Sequence, residues 1–173
     1  MSIVTEQSHI IYISVGSNVD KEKHTKSGLQ GMSQAVGELT LSSVFESESV
    51  GFEGNNFYNL VIKASTTLSI AQVCLVLKQI EQDNKRQRVE QKFAPRTLDL
   101  DLLLYDRQVT TQPIELPRPE VLYNAFVLKP MAEIAANETH PIVKKTYANL
   151  WQEYDKSQQK LWAIKFEWSS TSL

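Results

Sequence analysis

One cysteine, Cys74, stands in a chain of 173 residues, and an intrachain disulfide needs two. That fits a reducing compartment, so the cytoplasm is the expectation. No uninterrupted apolar run is long enough to span a bilayer. The start, MSIVTEQSHI, lacks the basic segment and apolar core of a secretory signal. A formal net charge of -2 creates no global field drawing the chain to nucleic acid or to an anionic membrane. Internal repeats and low-complexity linkers are missing too. What is present is a globular composition, 42% hydrophobic and 22% charged. The length favours one domain over residues 1–173 with a sizeable core.

Residues 10–15, IIYISV, are rich in β-branched side chains and run into Gly16-Ser17-Asn18, which predicts a strand ending in a turn. Leu29, Met32, Val36 and Leu39 recur at helical spacing, so residues 21–39 predict a helix, weakened by Gly28, Gly31 and Gly37. Residues 41–47 and 57–66 read as strands on either side of a glycine- and asparagine-rich loop, VGFEGNN at 50–56. Ser69 is a candidate N-cap for a helix with the stripe Ile70, Val73, Leu77 and Ile80. A polar loop at 85–96 leads to a fourth strand at 97–105. The order strand, helix, strand, strand, helix, strand predicts an α+β fold. It is the ferredoxin-like split βαβ core, βαββαβ, with helices on one face of an antiparallel sheet. C-terminal additions follow: a hairpin arm at 108–116, a helical stretch at 120–136 broken by Pro130, a helix at 146–154, a strand at 161–168 and a frayed tail.

The fourth strand carries an oddity. Residues 95–106 read PRTLDLDLLLYD, with Asp99 and Asp101 set in a run of leucines. A carboxylate against a core is costly unless paired or metal-bound. Alternation puts Leu98, Leu100, Leu102 and Leu104 on a core face, and Thr97, Asp99, Asp101, Leu103 and Tyr105 on the other. The two carboxylates then have Cα atoms roughly 7 Å apart and repel unless a cation lies between them. Two oxygen ligands on a rigid strand suit Mg²⁺, which completes its octahedron with water and phosphate oxygens. A solvated strand face with arginine partners is the competing reading.

The preceding loop favours the metal. Lys85, Arg86, Arg88, Lys92 and Arg96 crowd into a dozen residues with one acid, Glu90, in a chain that is net acidic. Carboxylates for a metal beside mobile arginines are what phosphoryl transfer needs. Phe57, Asn59 and Phe126 could offer two aromatic faces and an amide to a flat heterocycle, although strand aromatics are usually core.

These residues resemble the 6-hydroxymethyl-7,8-dihydropterin pyrophosphokinase family over about residues 10–141. The most specific match is Pro95-Arg96-Thr97-Leu98-Asp99-Leu100-Asp101, with Leu102-Leu103-Leu104-Tyr105 following. Tyr12-Ile13-Ser14-Val15-Gly16-Ser17-Asn18, Phe57-Tyr58-Asn59-Leu60-Val61 and Phe126-Val127-Leu128 support it. The resemblance implies transfer of diphosphate from ATP, the co-substrate, to a pterin alcohol, with release of AMP in folate biosynthesis. It implies that Asp99 and Asp101 hold two Mg²⁺ ions. Arg86 and Arg96 fall at positions for the transferred phosphates, and Glu81, Arg88, Leu102 and Arg118 on the nucleotide side. Phe57 and Phe126 would sandwich the pterin and Asn59 would bind its edge. Ser47, Val50 and Phe93 would complete that pocket. Three positions depart from the family pattern. The first pterin loop reads Ser47-Glu48-Ser49-Val50-Gly51 without the usual proline. Arg118 follows Pro117 where a histidine is usual, and Asn124 replaces an arginine two residues before Phe126.

Two other functions compete: a diverged homologue that binds nucleotide or a pterin-like ring but turns over poorly, and an RNA-binding ferredoxin-like module using the basic loop. Against the latter, two strand aspartates would repel phosphate without metal. The expected partners are therefore ATP and a pterin, with no nucleic acid, no membrane and no obligate protein partner.

Overall fold

The computed structural model describes residues 7–47, 56–85, 97–158 and 160–169. The described strands are β1 (His9–Ser17), β2 (Leu39–Leu41), β3 (Val44–Ser47), β4 (Phe57–Thr66), β5 (Asp99–Tyr105) and β6 (Leu161–Ile164). They form a six-stranded antiparallel sheet in the order β5-β1-β4-β3-β6, with β2 pairing off the path with β4. Between them run α1 (Lys21–Val36) and α2 (Ile70–Lys85), and after β5 come α3 (Glu120–Tyr123), α4 (Ala125–Ile134) and α5 (Tyr147–Glu153). Among the described residues, no helix is long and apolar enough to cross a membrane.

Local sequence accounts for the elements. Ser69 starts α2 with a reciprocal capping box: its Oγ accepts from Gln72 N–H at 3.2 Å, and Gln72 Oε1 accepts from Ser69 N–H at 2.8 Å. Val73, Leu77 and Ile80 then form the buried stripe. The central strand β4 is covered on both faces, so Leu60, Val61 and Ile62 follow one another fully buried. Each such side chain contributes about 1.5–3 kcal/mol of burial.

The structure corrects the expectation of helices on one face only. Ile11, Ile13, Val15, Leu60, Ile62, Leu100 and Leu102 pack on one side with Leu29 and Met32 of α1 and Val73, Leu77 and Ile80 of α2. On the other side a second core joins Tyr12, Val61, Leu103 and Leu104 to residues of α3, α4 and α5. The expected alternation along β5 also fails at one point. Tyr12 pairs with Leu104 but its neighbour Ile13 pairs with Leu102, so Leu103 is an extra, bulged residue. Leu103 and Leu104 therefore both enter the second core, and Tyr105 swings back to the first.

Other boundaries move for local reasons. The second predicted strand splits at Ser42–Ser43, where Ser42 Oγ accepts from Val61 N–H at 2.9 Å. The helical stretch after 120 breaks at Asn124, not at Pro130, which lies buried inside α4. The last strand stops at Ile164 because its partner β3 has only four residues, and Phe166 packs edge-on against Tyr58 instead. The loop at 50–56 and the polar loop at 85–96 lie outside the described residues except at Asn56 and Lys85.

The helix-weakening glycines of α1 have a packing reason. A Cβ on Gly28 would stand 3.0 Å from Leu98 Cδ2, and one on Gly31 would stand 3.1 Å from Ile80 Cγ1. Gly28→Val should therefore destabilise the protein by about 1–3 kcal/mol through overpacking, although valine is the better helix former. Urea denaturation measures this, and a raised midpoint would refute the close approach.

Candidate active site

The polar part of the second sheet face lies at the C-terminal end of β1. There β1 presents Ser14 and Gly16, the two smallest side chains on that face. Ser14 pairs with Asp101, and Gly16 pairs with Asp99 on one side and Asn59 on the other. Large residues here would fill the space, whereas these leave a floor between the acidic strand β5 and Phe57 and Asn59 of β4. A Cβ on Gly16 would press on Asn59 Oδ1 at 3.3 Å. The N-terminal end of α4 and the segment before α3 complete the walls.

The result is a cavity of about 370 Å³, within the range of small-molecule sites. Asp99, Asp101, Arg118, Phe57, Asn59 and Phe126 all line it, so six of the residues singled out from sequence meet in one place. Ser47 is fully buried behind them, and its Oγ accepts from Asn59 Nδ2 at 3.2 Å, fixing the amide. Leu102 points elsewhere, its side chain in the core under α1 and α2. Arg86, Arg88, Phe93, Arg96, Val50 and the departure at Glu48 lie outside the described residues. A second cavity of about 220 Å³, bordered by Tyr12, Arg107, Glu138 and Tyr147, contains none of the expected residues.

Glu81 sits on the α2 side of the edge strand rather than on the cavity wall. Its Oε2 accepts from Leu100 N–H at 2.8 Å, on the edge strand of the sheet. Half-burial raises the Glu81 carboxyl above its usual range; the Leu100 bond opposes this, Asp99 adds to it, Lys85 opposes and Asp101 adds.

Two contacts were not legible in the sequence. Arg118 lies 3.2 Å from Asp101 through Nη2 and donates from Nε to Glu120 Oε2 at 2.6 Å. Asn124 lines the cavity and caps α4, its Oδ1 accepting from Phe126 N–H at 2.9 Å. The asparagine directly before an apolar helical run was the available signal for the cap; Glu120 gave none.

As for metal, the donors fit a hard divalent cation. Asp99 and Asp101 supply carboxylate oxygens from one strand face onto an open cavity. Among the described residues no group of three His, Cys, Asp or Glu could enclose an ion. Mg²⁺ needs no such cage, since water and phosphate oxygens complete its shell.

The family model described as 7,8-dihydro-6-hydroxymethylpterin-pyrophosphokinase (HPPK) matches residues 12–136. The chain is 33% identical over 139 residues to the 2-amino-4-hydroxy-6-hydroxymethyldihydropteridine pyrophosphokinase of Aquifex aeolicus, covering 78% of this chain and 86% of that one. It is 35% identical over 132 residues to the protein of that name from Bacillus subtilis, covering 73% and 78%. The fold is similar to the crystal structure of wild-type Plasmodium falciparum HPPK-DHPS with pteroate, at a TM-score of 0.66 and 12% identity. That match covers 88% of this chain but only 43% of the bifunctional one.

Two outcomes follow from the geometry. Because the folded-state pKa of Glu81 is raised, its contribution to stability is greatest below the ordinary value and declines as pH rises through the folded value. In metal-free protein, Glu81→Gln should therefore gain stability relative to wild type as pH rises above the ordinary carboxylate range, because glutamine keeps the acceptor without the charge. Urea midpoints as a function of pH test it, and a pH-independent difference would contradict it. Separately, Asn124→Arg should cost about 1 kcal/mol through the lost cap, while Asn124→Asp should keep most of it. Thermal denaturation of both variants reads this directly.

Proposed function

The chain belongs to the 7,8-dihydro-6-hydroxymethylpterin pyrophosphokinase family, an ATP-dependent diphosphotransferase family of folate biosynthesis, and we propose that the cavity between β5, β1, β4 and α4 is where it moves diphosphate from MgATP to the pterin hydroxymethyl group. The carrying observation is that Asp99 and Asp101 share one cavity with Phe57, Asn59 and Phe126. A charged centre and an aromatic slot side by side match a substrate pair of polyphosphate and flat heterocycle.

Phe57 and Phe126 hold the ring by its faces. Asn59, its Nδ2 engaged by Ser47, offers Oδ1 to a ring N–H. The hydroxymethyl oxygen then forms a bond to the β-phosphorus as the bond from that phosphorus to the α–β bridging oxygen breaks. AMP leaves with the bridging oxygen, and the hydroxyl proton passes to solvent. Asp99 and Asp101 would hold up to two Mg²⁺ ions, whose charge orients the phosphate oxygens and offsets developing charge. No covalent enzyme intermediate is needed, so positioning and charge supply the catalysis. Arg86, Arg88 and Arg96 are assigned to the phosphates on sequence grounds.

The core itself we read as the ferredoxin-like split βαβ. With β2 and β3 counted as one interrupted strand, the spatial order is fourth, first, third, second, and β6 is an addition at the far edge. That both cores share one sheet supports reading the chain as one domain. The RNA-binding alternative is disfavoured by α3, α4 and α5, which cover the face that such modules leave open.

Asp99→Asn and Asp101→Asn should each lower AMP release by about 10²-fold or more at saturating Mg²⁺ and substrates, with little change in unfolding midpoint, because asparagine keeps the shape and the Arg118–Asp101 pair is part-exposed and screened by water. Near-normal turnover in both would refute the assignment.

A further inference from the structure

The described lining of the cavity holds three carboxylates, Asp99, Asp101 and Glu120, and one guanidinium, Arg118. Arg118 is not a loose arm. Its backbone N–H donates to Leu103 O at 2.9 Å, which roots it on β5 at the bulge. Nε is held by Glu120, which also accepts from the Tyr123 hydroxyl at 3.1 Å. This leaves the Nη2 side of the planar fork facing Asp101 Oδ1 at 3.2 Å.

We propose that Arg118 is a place-holding cation that occupies Asp101 until metal and nucleotide arrive together, then turns to the polyphosphate, so that metal binding is coupled to nucleotide binding. The inference rests on the reading of Asp99 and Asp101 as Mg²⁺ ligands. A guanidinium and a divalent cation compete for the same carboxylate oxygen, so Arg118 weakens the binding of bare Mg²⁺. The competition is mild, because the Arg118 and Asp101 side chains are 31% and 42% exposed and water screens them. Nucleotide reverses the sign. Phosphate oxygens offer the fork a better partner, and rotation about the Nε edge reaches them without surrendering Glu120. Arg118 then opposes bare metal and supports the metal–nucleotide complex, which is positive coupling between the two ligands.

Calorimetric titration of the full chain separates these effects, using Mg²⁺ alone and then Mg²⁺ with α,β-methylene-ATP, whose bond to be broken is inert. Arg118→Gln should bind bare Mg²⁺ about two- to fivefold more tightly and bind the analogue with Mg²⁺ several-fold more weakly. Arg118→Lys, which keeps the charge without the fork, should shift both in the same directions by less, and serves if the glutamine variant fails to fold. Unchanged bare-metal affinity in the Arg118 variants, with binding abolished in Asp101→Asn, would overturn the place-holder and leave the metal site standing. Weaker binding of both ligands would overturn it in favour of a structural role. Unaltered Mg²⁺ binding in Asp101→Asn would overturn the metal reading and this inference with it.

Discussion

The register of β1 between its two neighbours is the constraint on which the site depends. Ser14 and Gly16 must fall opposite Asp101 and Asp99, and Gly16 opposite Asn59. Because side chains alternate, a slip of one residue between β1 and β5 would drive the carboxylates into the core under α1 and α2 and turn leucines into the cavity, and one between β1 and β4 would turn Phe57 and Asn59 away from it. The slip is resisted by burial on both faces, since Ile11, Ile13 and Val15 belong to one core and Tyr12 to the other. A direct tether adds to this: Ser17 Oγ donates to Thr97 O at 2.5 Å, joining the end of β1 to the start of the acidic strand. The energy that fixes the geometry of the cavity is therefore largely hydrophobic and lies in the two cores rather than in the polar lining.

The bulge in β5 reconciles two demands on one strand. Its first half must point carboxylates at the cavity and leucines at α2. Its second half must feed the second core with Leu103 and Leu104, while Tyr105 stacks on His9 with ring centroids 4.6 Å apart and donates its hydroxyl to Leu68 O. Strict alternation cannot place both Leu103 and Leu104 on one face. One extra residue does so, and leaves Leu103 O to accept from Arg118 N–H.

Those features mark the limit of what the sequence made legible. Periodicity located α1, α2 and the acidic strand because each buries a face whose period is written in its own residues, whereas β4, buried on both faces, was legible from the loop signals before it. Asp99, Asp101, Phe57, Asn59 and Phe126 could be grouped because their chemistry pointed to one pair of substrates. The bulge carries no glycine and so no local mark, and the second core draws on short helices whose partners are distant in sequence. Pro130 pointed to a break, yet the local cap at Asn124 starts a new helix that carries the proline buried within it. The Arg118–Asp101 pair was hidden for a similar reason: only the edge of β5 brings the two together.

Asn124 shows how charge and local structure constrain each other at one position. An N-cap needs a short side chain with an acceptor, and asparagine and aspartate serve about equally. Here the cap lies on the wall of a cavity whose described lining already carries three carboxylates against one guanidinium. Aspartate would add a fourth negative charge to the cavity that we propose takes the polyphosphate. It would also cancel the partial positive charge at the start of α4, which otherwise favours an anion. Asparagine satisfies Phe126 N–H while leaving that charge in place. The same hydrogen bond fixes where α4 begins, and Phe126 lies two residues on. The ring that faces the cavity is thus aimed by a cap that adds no charge to the cavity wall.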